Sequence, residues 1–415
     1  MATCTLDVVV PPEAARLPAD AAAWARVSQA VVVRLRPRSE QAAHALHHLC
    51  EPEEASPTWR CAHQDGAWLL MGALAELEAL AGRWAASPGP HMAALGRELA
   101  QALRRAATPL GGSAQIGART FRWGQRTYVM GIVNVTSDSF SGDGLYSEGQ
   151  ATADAWTSRA VEQALAFVAQ GADIIDVGGE STRPGATPVD AEEELRRVIP
   201  AIAAIRRQSD IPISVDTFKA RVAQAALDAG ADLINDVWGL RLDPEMGPLT
   251  AARGVPVILM HNRSQPKEAA LTERLGGRYV GVAYDDLTLD LLEELQGQVE
   301  QAVAWGISRE RIIVDPGLGF GKTVEQNLAL VNRCRALRVL GLPILLGPSR
   351  KSFIGYTLDL PPEQRAHGTM ASLAVAIARG GVDLVRVHDV VAAVQSARMA
   401  DAIVRGKASC TGEQR

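Results

Sequence analysis

From about residue 119 onward one cadence recurs: a short apolar run closed by a polar residue, a loop, then a stretch whose apolar positions keep helical spacing. The apolar runs are Tyr128–Val133, Ala172–Ile175, Ile211–Val215, Asp232–Ile234, Val255–Met260, Arg311–Val314, Pro343–Leu346 and Asp383–Val385, eight in all. Between them, positions such as Leu195, Val198, Ile199, Ile202 and Ile205 follow the i, i+3, i+4, i+7 spacing of an amphipathic helix. Two helix starts carry capping signals, Asp190 with Glu193 and Thr323 with Gln326. Pro200 falls inside one helical stretch and predicts a bend there. Strands alternating with helices predict a parallel sheet, and eight units predict its closure into an α/β (β/α)8 TIM barrel.

The segment before this cadence is Ala-rich and helical, with apolar runs at Val8–Val10, Val31–Val33 and Trp68–Leu70. It predicts a small N-terminal α/β domain over residues 1–110. A Pro/Gly/Ser cluster near Thr108–Ser113 marks a boundary, giving a linker at 111–118 and a barrel at 119–415. Within the barrel's first residues, Thr120–Trp123 and Arg126–Val129 about Gly124-Gln125 read as a hairpin that covers the barrel floor.

Composition narrows the function. With 47% hydrophobic and 21% charged residues the chain is an ordinary folded protein. A net charge of -5 and a pI near 6.0 supply no basic field for nucleic acid or anionic lipid. Five scattered cysteines predict no disulfide framework and fit a reducing, cytoplasmic setting. The first residues do not read as a signal peptide, and no apolar run approaches the ~18 residues of a membrane span. In the N-terminal segment, His44, His48, Cys50, Cys61 and His63 allow two readings: a zinc site, or surface histidines with buried thiols.

In a barrel of this kind reactive groups stand at the carboxyl ends of the strands. Here those ends read Asn134, Asp176, Asp216, Asn235, His261, Asp315, Ser349-Arg350-Lys351 and Arg386-Val387-His388. Helix capping accounts for an isolated Asp, Asn or Ser at such a place. It does not account for Lys351, Arg386 and His388. These cations, with Arg183, suit phosphate oxygens, whereas Asp216, Asp315 and Asn235 can face the N–H edge of a flat heterocycle. Asn134 offers a neutral oxygen to Mg2+, an ion that keeps most of its waters and leans on substrate phosphates. The pattern points to a substrate with an amide-like aromatic head and a diphosphate tail. Gly317–Thr323 ends like a phosphate-binding P-loop, but Pro316 stands where the first glycine belongs. Thr136–Gly149 and Gly178–Val189 are long for strand-to-helix loops and read as mobile covers.

Met130-Gly-Ile-Val-Asn-Val-Thr-Ser-Asp-Ser-Phe-Ser141, Asp176-Val-Gly-Gly-Glu-Ser-Thr-Arg-Pro-Gly185, Val215-Asp-Thr217, Asn235-Asp-Val237, Leu259-Met-His261, Asp315–Lys322, Ser349-Arg-Lys-Ser-Phe-Ile-Gly355 and Arg386-Val-His-Asp389 together resemble dihydropteroate synthase. The likeness runs in order from about residue 119 to 404 and leaves the N-terminal segment outside it. It implies condensation of 6-hydroxymethyl-7,8-dihydropterin diphosphate with p-aminobenzoate to give 7,8-dihydropteroate and pyrophosphate in folate biosynthesis. It further implies that Asp216, Asn235, Asp315 and Lys351 hold the pterin, that Asn134 binds Mg2+, and that Arg386 and His388 take the diphosphate. Thr182, Arg183, Pro184, Phe320 and Ser349 would border p-aminobenzoate. Sulfonamides resemble that substrate and are expected competitors, with tolerance of them left open, and a homodimer is implied as well.

Two positions depart from the resemblance. Asp143 follows Gly142, whereas the family places its loop acid before the glycines, and Ser137 stands where Pro is frequent. Two other functions compete. A pterin-binding barrel of the methyltransferase type would not need the diphosphate cations Lys351, Arg386 and His388, and a non-catalytic pterin-binding partner would hold the diphosphate without releasing pyrophosphate.

Overall fold

In the computed structural model the described residues are 4–9, 31–49, 59–64, 67–107, 110–136, 153–182, 186, 188–264, 269–272, 275–279 and 282–406. Ser137, Asp143, Arg183 and Pro184 lie outside them. The chain divides into two compact units: Met1–Leu110 with Tyr284–Gln296 and Arg335–Gly341, and the remainder from Gly111 onward. The two short later segments, which the sequence reading places in the barrel, cluster with the first unit.

The first unit contains β1 (Cys4–Val9), β2 (Val31–Pro37), α1 (Glu40–Leu49), β3 (Trp59–Gln64), β4 (Ala67–Gly72), α2 (Leu74–Ala85) and α3 (Pro90–Ala107). The strands form an antiparallel sheet in the order β1-β2-β4-β3. Alternation explains its single core: Val31, Val33 and Leu35 face Leu70, Leu77, Leu95, Leu99 and Leu103. On the intervening positions, Arg34 pairs with the buried Asp7 of β1 at 3.1 Å. Cys61 is disulfide-bonded, which corrects the expectation of unpaired thiols and removes it as a free zinc ligand. No group of three or more metal-ligating side chains occurs among the described residues.

The second unit opens with β5 (Ser113–Ile116) and β6 (Arg119–Arg122), then runs β7 (Tyr128–Asn134), α4 (Ala153–Ala169), β8 (Ile174–Gly178), α5 (Ala191–Arg206), β9 (Ile213–Asp216), α6 (Ala220–Asp228), β10 (Leu233–Asp236), α7 (Met246–Arg253) and β11 (Val257–Met260). There follow the small hairpin β12 (Ala269–Thr272) and β13 (Gly276–Tyr279), α8 (Leu287–Ala304), which belongs to this unit only from Gly297 on, β14 (Ile312–Asp315), α9 (Val324–Arg333), β15 (Leu345–Leu346), α10 (Ser352–Leu358), α11 (Ala366–Ala378), β16 (Leu384–Val387) and α12 (Val390–Arg405).

Eight parallel strands lie in the order β14-β11-β10-β9-β8-β7-β16-β15, and a parallel bridge between Val314 and Ile344 brings the two ends together. This is the expected (β/α)8 barrel. Its strands are buried on both faces and so read as continuous apolar runs in the sequence. Three strands, β7, β9 and β14, end one residue further on than the apolar runs suggest, because the polar residue closing the run belongs to the strand. Asn134, Asp216, Asp315 and Arg386 are strand residues, and pairing fixes the direction of their backbones.

Two local expectations change. The hairpin pairs β6 with β5, so Ser113–Ile116 is a strand and Tyr128 opens β7. Its turn uses Gly117 at φ 54°, a backbone region that glycine enters at little cost. At the start of α9, Thr323 and Gln326 form the full capping box, whereas Asp190 accepts from the Glu193 backbone while the Glu193 side chain turns to Arg197. Among the described residues no helix is long and apolar enough to cross a membrane.

Candidate active site

The carboxyl ends of β8, β9, β10, β14 and β16 and the loop after β15 meet at one mouth of the barrel. Arg386, the penultimate residue of β16, reaches across it: its Nε donates to Asp176 Oδ2 and its Nη2 to Asp216 Oδ2, each at 2.6 Å. Asn235 Nδ2 donates to the same Asp176 oxygen at 3.3 Å. Asp176 is fully buried, and its Oδ1 has no hydrogen-bond partner among the described residues. Charge-assisted bonds of this length fix a guanidinium in place and keep it cationic.

The electrostatics follow from burial. Burial pushes the Asp216 carboxyl up to about 7, against the pull of Arg386 and with help from Asp176. Asp315 is raised by the same desolvation, partly offset by Lys351. Burial brings the Lys351 ammonium down to about 8, with Asp315 acting against it. Desolvation alone would weaken Arg386 as a base, but Asp176 and Asp216 more than compensate and raise it. The mouth therefore presents two cations and three carboxyls in a water-poor setting, and two of these groups sit near neutrality.

Lys351 donates to the Leu318 carbonyl and stands 4.7 Å over the Phe320 ring. Asp315 Oδ1 accepts from the Gly317 N–H at 2.7 Å, holding the loop that carries both. Ser349 Oγ lies 2.9 Å from His388 Nδ1 and accepts the His388 backbone N–H at 3.1 Å. Arg350, at φ 53°, makes a paired contact with Asp389 at 3.0 and 2.6 Å, tying the loop after β15 to the end of β16. Asn134 closes β7 beside Gly178: a Cβ on that glycine would lie 3.8 Å from Asn134 Oδ1 and 3.4 Å from Asp216 Cβ.

The structure thus brings together Asp216, Asn235 and Arg386, places Lys351 against Phe320, and joins Ser349 to His388 rather than leaving it beside an empty wall. Thr182 is half-buried at the foot of its loop. Two contributors carry no role in the sequence reading. Asp176 appears there only as one strand-end carboxylate among several, although its position on a strand end is the available signal. Lys322 is buried and donates to the carbonyls of Gly317 and Phe320 at 3.0 and 2.9 Å, with its Nζ 3.1 Å from His261 Nδ1. It holds the glycine loop together from within.

Residues 130–388 match the family described as pterin binding enzyme. A dihydropteroate synthase of Clostridium beijerinckii is 45% identical over 291 residues, covering 70% of this chain and 99% of that one. The crystal structure of dihydropteroate synthase from Clostridium difficile in the presence of pteroic acid superposes with a TM-score of 0.60 at 44% identity, over 70% of this chain and 99% of the other. The Yersinia pestis enzyme in a sulfonamide drug complex gives 0.62 at 38% identity, again over 70% and 99%.

With that family match, the barrel and its carboxylate–guanidinium mouth are those of a pterin-binding enzyme. Within that class the chain belongs to the dihydropteroate synthase family, and it is a transferase that joins p-aminobenzoate to 6-hydroxymethyl-7,8-dihydropterin diphosphate. The methyltransferase-type and non-catalytic readings fall with that assignment.

Proposed function

We propose that the mouth divides its work as follows: Asp216, Asn235, Asp315 and Lys351 hold the pterin head, Arg386 and His388 take the diphosphate, and Thr182, Arg183, Pro184, Phe320 and Ser349 border p-aminobenzoate. The observation that supports this most is the Arg386 guanidinium, fixed at 2.6 Å from both Asp176 and Asp216. One cation then touches the carboxylate that would face the ring and stands beside the bond to be broken.

The chemistry needs charge stabilisation more than a base. Departure of pyrophosphate breaks a C–O bond and leaves a methylene cation conjugated with the pterin. The amine nitrogen of p-aminobenzoate then forms the C–N bond and its proton leaves to solvent. Arg386 and His388 stabilise the departing charge, and the carboxylates of Asp216 and Asp315 stabilise the cation. An arylamine is neutral at pH 7, so a mouth without a dedicated strong base suffices. Ser349 orients His388 by its contact with Nδ1.

The residues present fit Mg2+. Asn134 offers one neutral amide oxygen at the mouth, and no acidic or histidine cage exists among the described residues, a donor set suited to an ion bound chiefly through water and a substrate diphosphate. When bound, it supplies positive charge to the leaving group. Asn134 is the residue that would hold it.

The same reading includes a homodimer, competition by sulfonamides and a cytoplasmic location. The neighbouring helices α11 and α12 leave Val375, Val391, Met399 and Ile403 exposed, Ile403 by 71%, which supports an apolar face covered by a second copy. The Yersinia pestis complex supports sulfonamide competition.

The test is pyrophosphate release by the purified full chain with the pterin diphosphate, Mg2+ and p-aminobenzoate, repeated with sulfamethoxazole. Release that requires p-aminobenzoate and whose apparent KM for it rises with the drug is the expected outcome. Release indifferent to p-aminobenzoate overturns the reading.

A further inference from the structure

Lys219 immediately precedes α6, three residues beyond Asp216, and it is not used by the reaction just described. Its Nζ donates to Glu180 Oε2 and, at 2.5 Å, to Glu194 Oε2. Glu194 is 1% exposed, Glu180 10% and Lys219 20%, so two largely buried carboxylates share one partly exposed ammonium. Such a cluster is costly to build unless its geometry is held.

What it holds is the loop between β8 and α5. Glu180 stands at the near foot of that loop, and its second oxygen, Oε1, accepts the backbone N–H of Val189, at the far foot, at 3.1 Å. Glu194 lies in the first turns of α5, the helix the loop enters. Arg197 of the same helix donates to the Gly179 carbonyl at 3.0 Å. On the other side, Thr217 Oγ1 accepts the Lys219 backbone N–H at 3.2 Å, so the lysine continues directly from the strand end that carries Asp216. One side chain therefore connects the pterin-facing strand to both feet of the loop bearing Thr182.

We propose that Lys219 is a positioning residue for p-aminobenzoate: its ammonium fixes Glu180, Glu180 sets the separation of the loop's feet, and that separation places the loop against the second substrate. This rests on the assignment of p-aminobenzoate to the loop. Closing a loop with a side-chain bond across its base removes chain freedom before the substrate arrives, so loss of the bond falls on that substrate's binding.

The experiment measures KM for each substrate, kcat, and equilibrium binding of the pterin diphosphate with Mg2+, in the full chain. The variants are Lys219→Met, Lys219→Arg, Thr182→Ala, and Lys219→Met combined with Glu194→Gln. The double variant neutralises Glu194, the more deeply buried of the two carboxylates, along with the loss of its cation, and so lowers the folding cost of Lys219→Met alone, while Glu180 keeps its bond to the Val189 N–H. The expected result is a KM for p-aminobenzoate raised about tenfold in Lys219→Met and in the double variant, a pterin diphosphate affinity within about twofold of wild type, and substantial recovery in Lys219→Arg. A folded double variant with unchanged KM for p-aminobenzoate overturns the inference, as does an equal loss for both substrates. If Thr182→Ala raises that KM while the Lys219 variants leave it alone, only the inference falls. If Thr182→Ala also leaves it alone, the assignment of the loop to p-aminobenzoate falls first and takes the inference with it.

Discussion

The hydroxyl of Ser349 accepts the backbone N–H of His388 at 3.1 Å and lies 2.9 Å from the Nδ1 of the same residue. A hydroxyl that gives its own hydrogen to Nδ1 leaves the ring proton on Nε2, where it can donate to an anion. Ser349→Ala removes this orientation without removing the imidazole. A loss of roughly tenfold in kcat/KM for the pterin diphosphate is expected, in line with one oriented hydrogen bond. An unchanged value separates Ser349 from the diphosphate end of the site.

Asp216, Arg386 and Asn134 carry the chemistry most directly, and replacing any one by Ala is expected to lower turnover by ~10²-fold or more, the scale of losing a charge-stabilising group. Near-normal turnover in Asp216→Ala would remove that carboxylate from the mechanism. Asp176→Ala tests the other half of the clamp. Because both carboxylates bind one guanidinium, its effect and that of Arg386→Ala should fall well short of additive in a double-mutant cycle.

The acid–base behaviour follows from burial. Asp216 must be ionised to accept N–H groups, and with its carboxyl raised to about 7 it gains a proton as pH falls through that value. Lys351 must be charged, and with its ammonium lowered to about 8 it loses its proton as pH rises through that value. The profile of kcat/KM for the pterin diphosphate is therefore a narrow bell, falling below about 7 and above about 8. Arg386→Gln leaves burial of Asp216 unopposed, so the acid limb moves to higher pH. A flat profile between pH 6 and pH 9, roughly, contradicts this account.

Gly317 has φ 68°, and a Cβ there would lie 1.9 Å from the carbonyl oxygen of His261. No flexible side chain can yield, because the obstacle is backbone. Gly317→Ala is expected to destabilise the protein by at least about 3 kcal/mol, combining a left-handed backbone penalty with a clash. Denaturant unfolding measures it, and a loss under about 1 kcal/mol would show that the loop relaxes instead.

The proposed dimer is read from hydrodynamics. Ile403→Glu puts a charge on the exposed face of α12, where the wild-type side chain is 71% accessible. Sedimentation of a wild-type dimer and an Ile403→Glu monomer is expected. A wild-type chain that sediments as a monomer at micromolar concentration removes the second copy.

The barrel is legible in the sequence because every strand is an apolar run and every helix has a polar face, so one periodicity alternates with the other. The hairpin at its floor is less so. Gly117 and Gly124 both take positive φ, and the aromatic residues Phe121, Trp123 and Tyr128 do pack together, with Phe121 and Tyr128 centroids 4.7 Å apart. Yet Tyr128 reaches them from the first barrel strand, and side-chain clustering alone does not reveal which backbones pair. Asn134, Asp216, Asp315 and Arg386 are found by reading strand ends. The clamp formed by Asp176 is not, since its partner stands 210 residues away along the chain and only closure brings them together.

That separation has a consequence for how the protein is made. At about 5–20 residues per second, a ribosome needs roughly 10–40 s to travel from Asp176 to Arg386. Over the last 170 residues of that stretch the nascent chain holds two strand-end carboxylates without the cation that balances them. A chain that stops short of β16 lacks the group that unites the mouth, however many strands precede it. The mouth is thus completed only once β16 has been made.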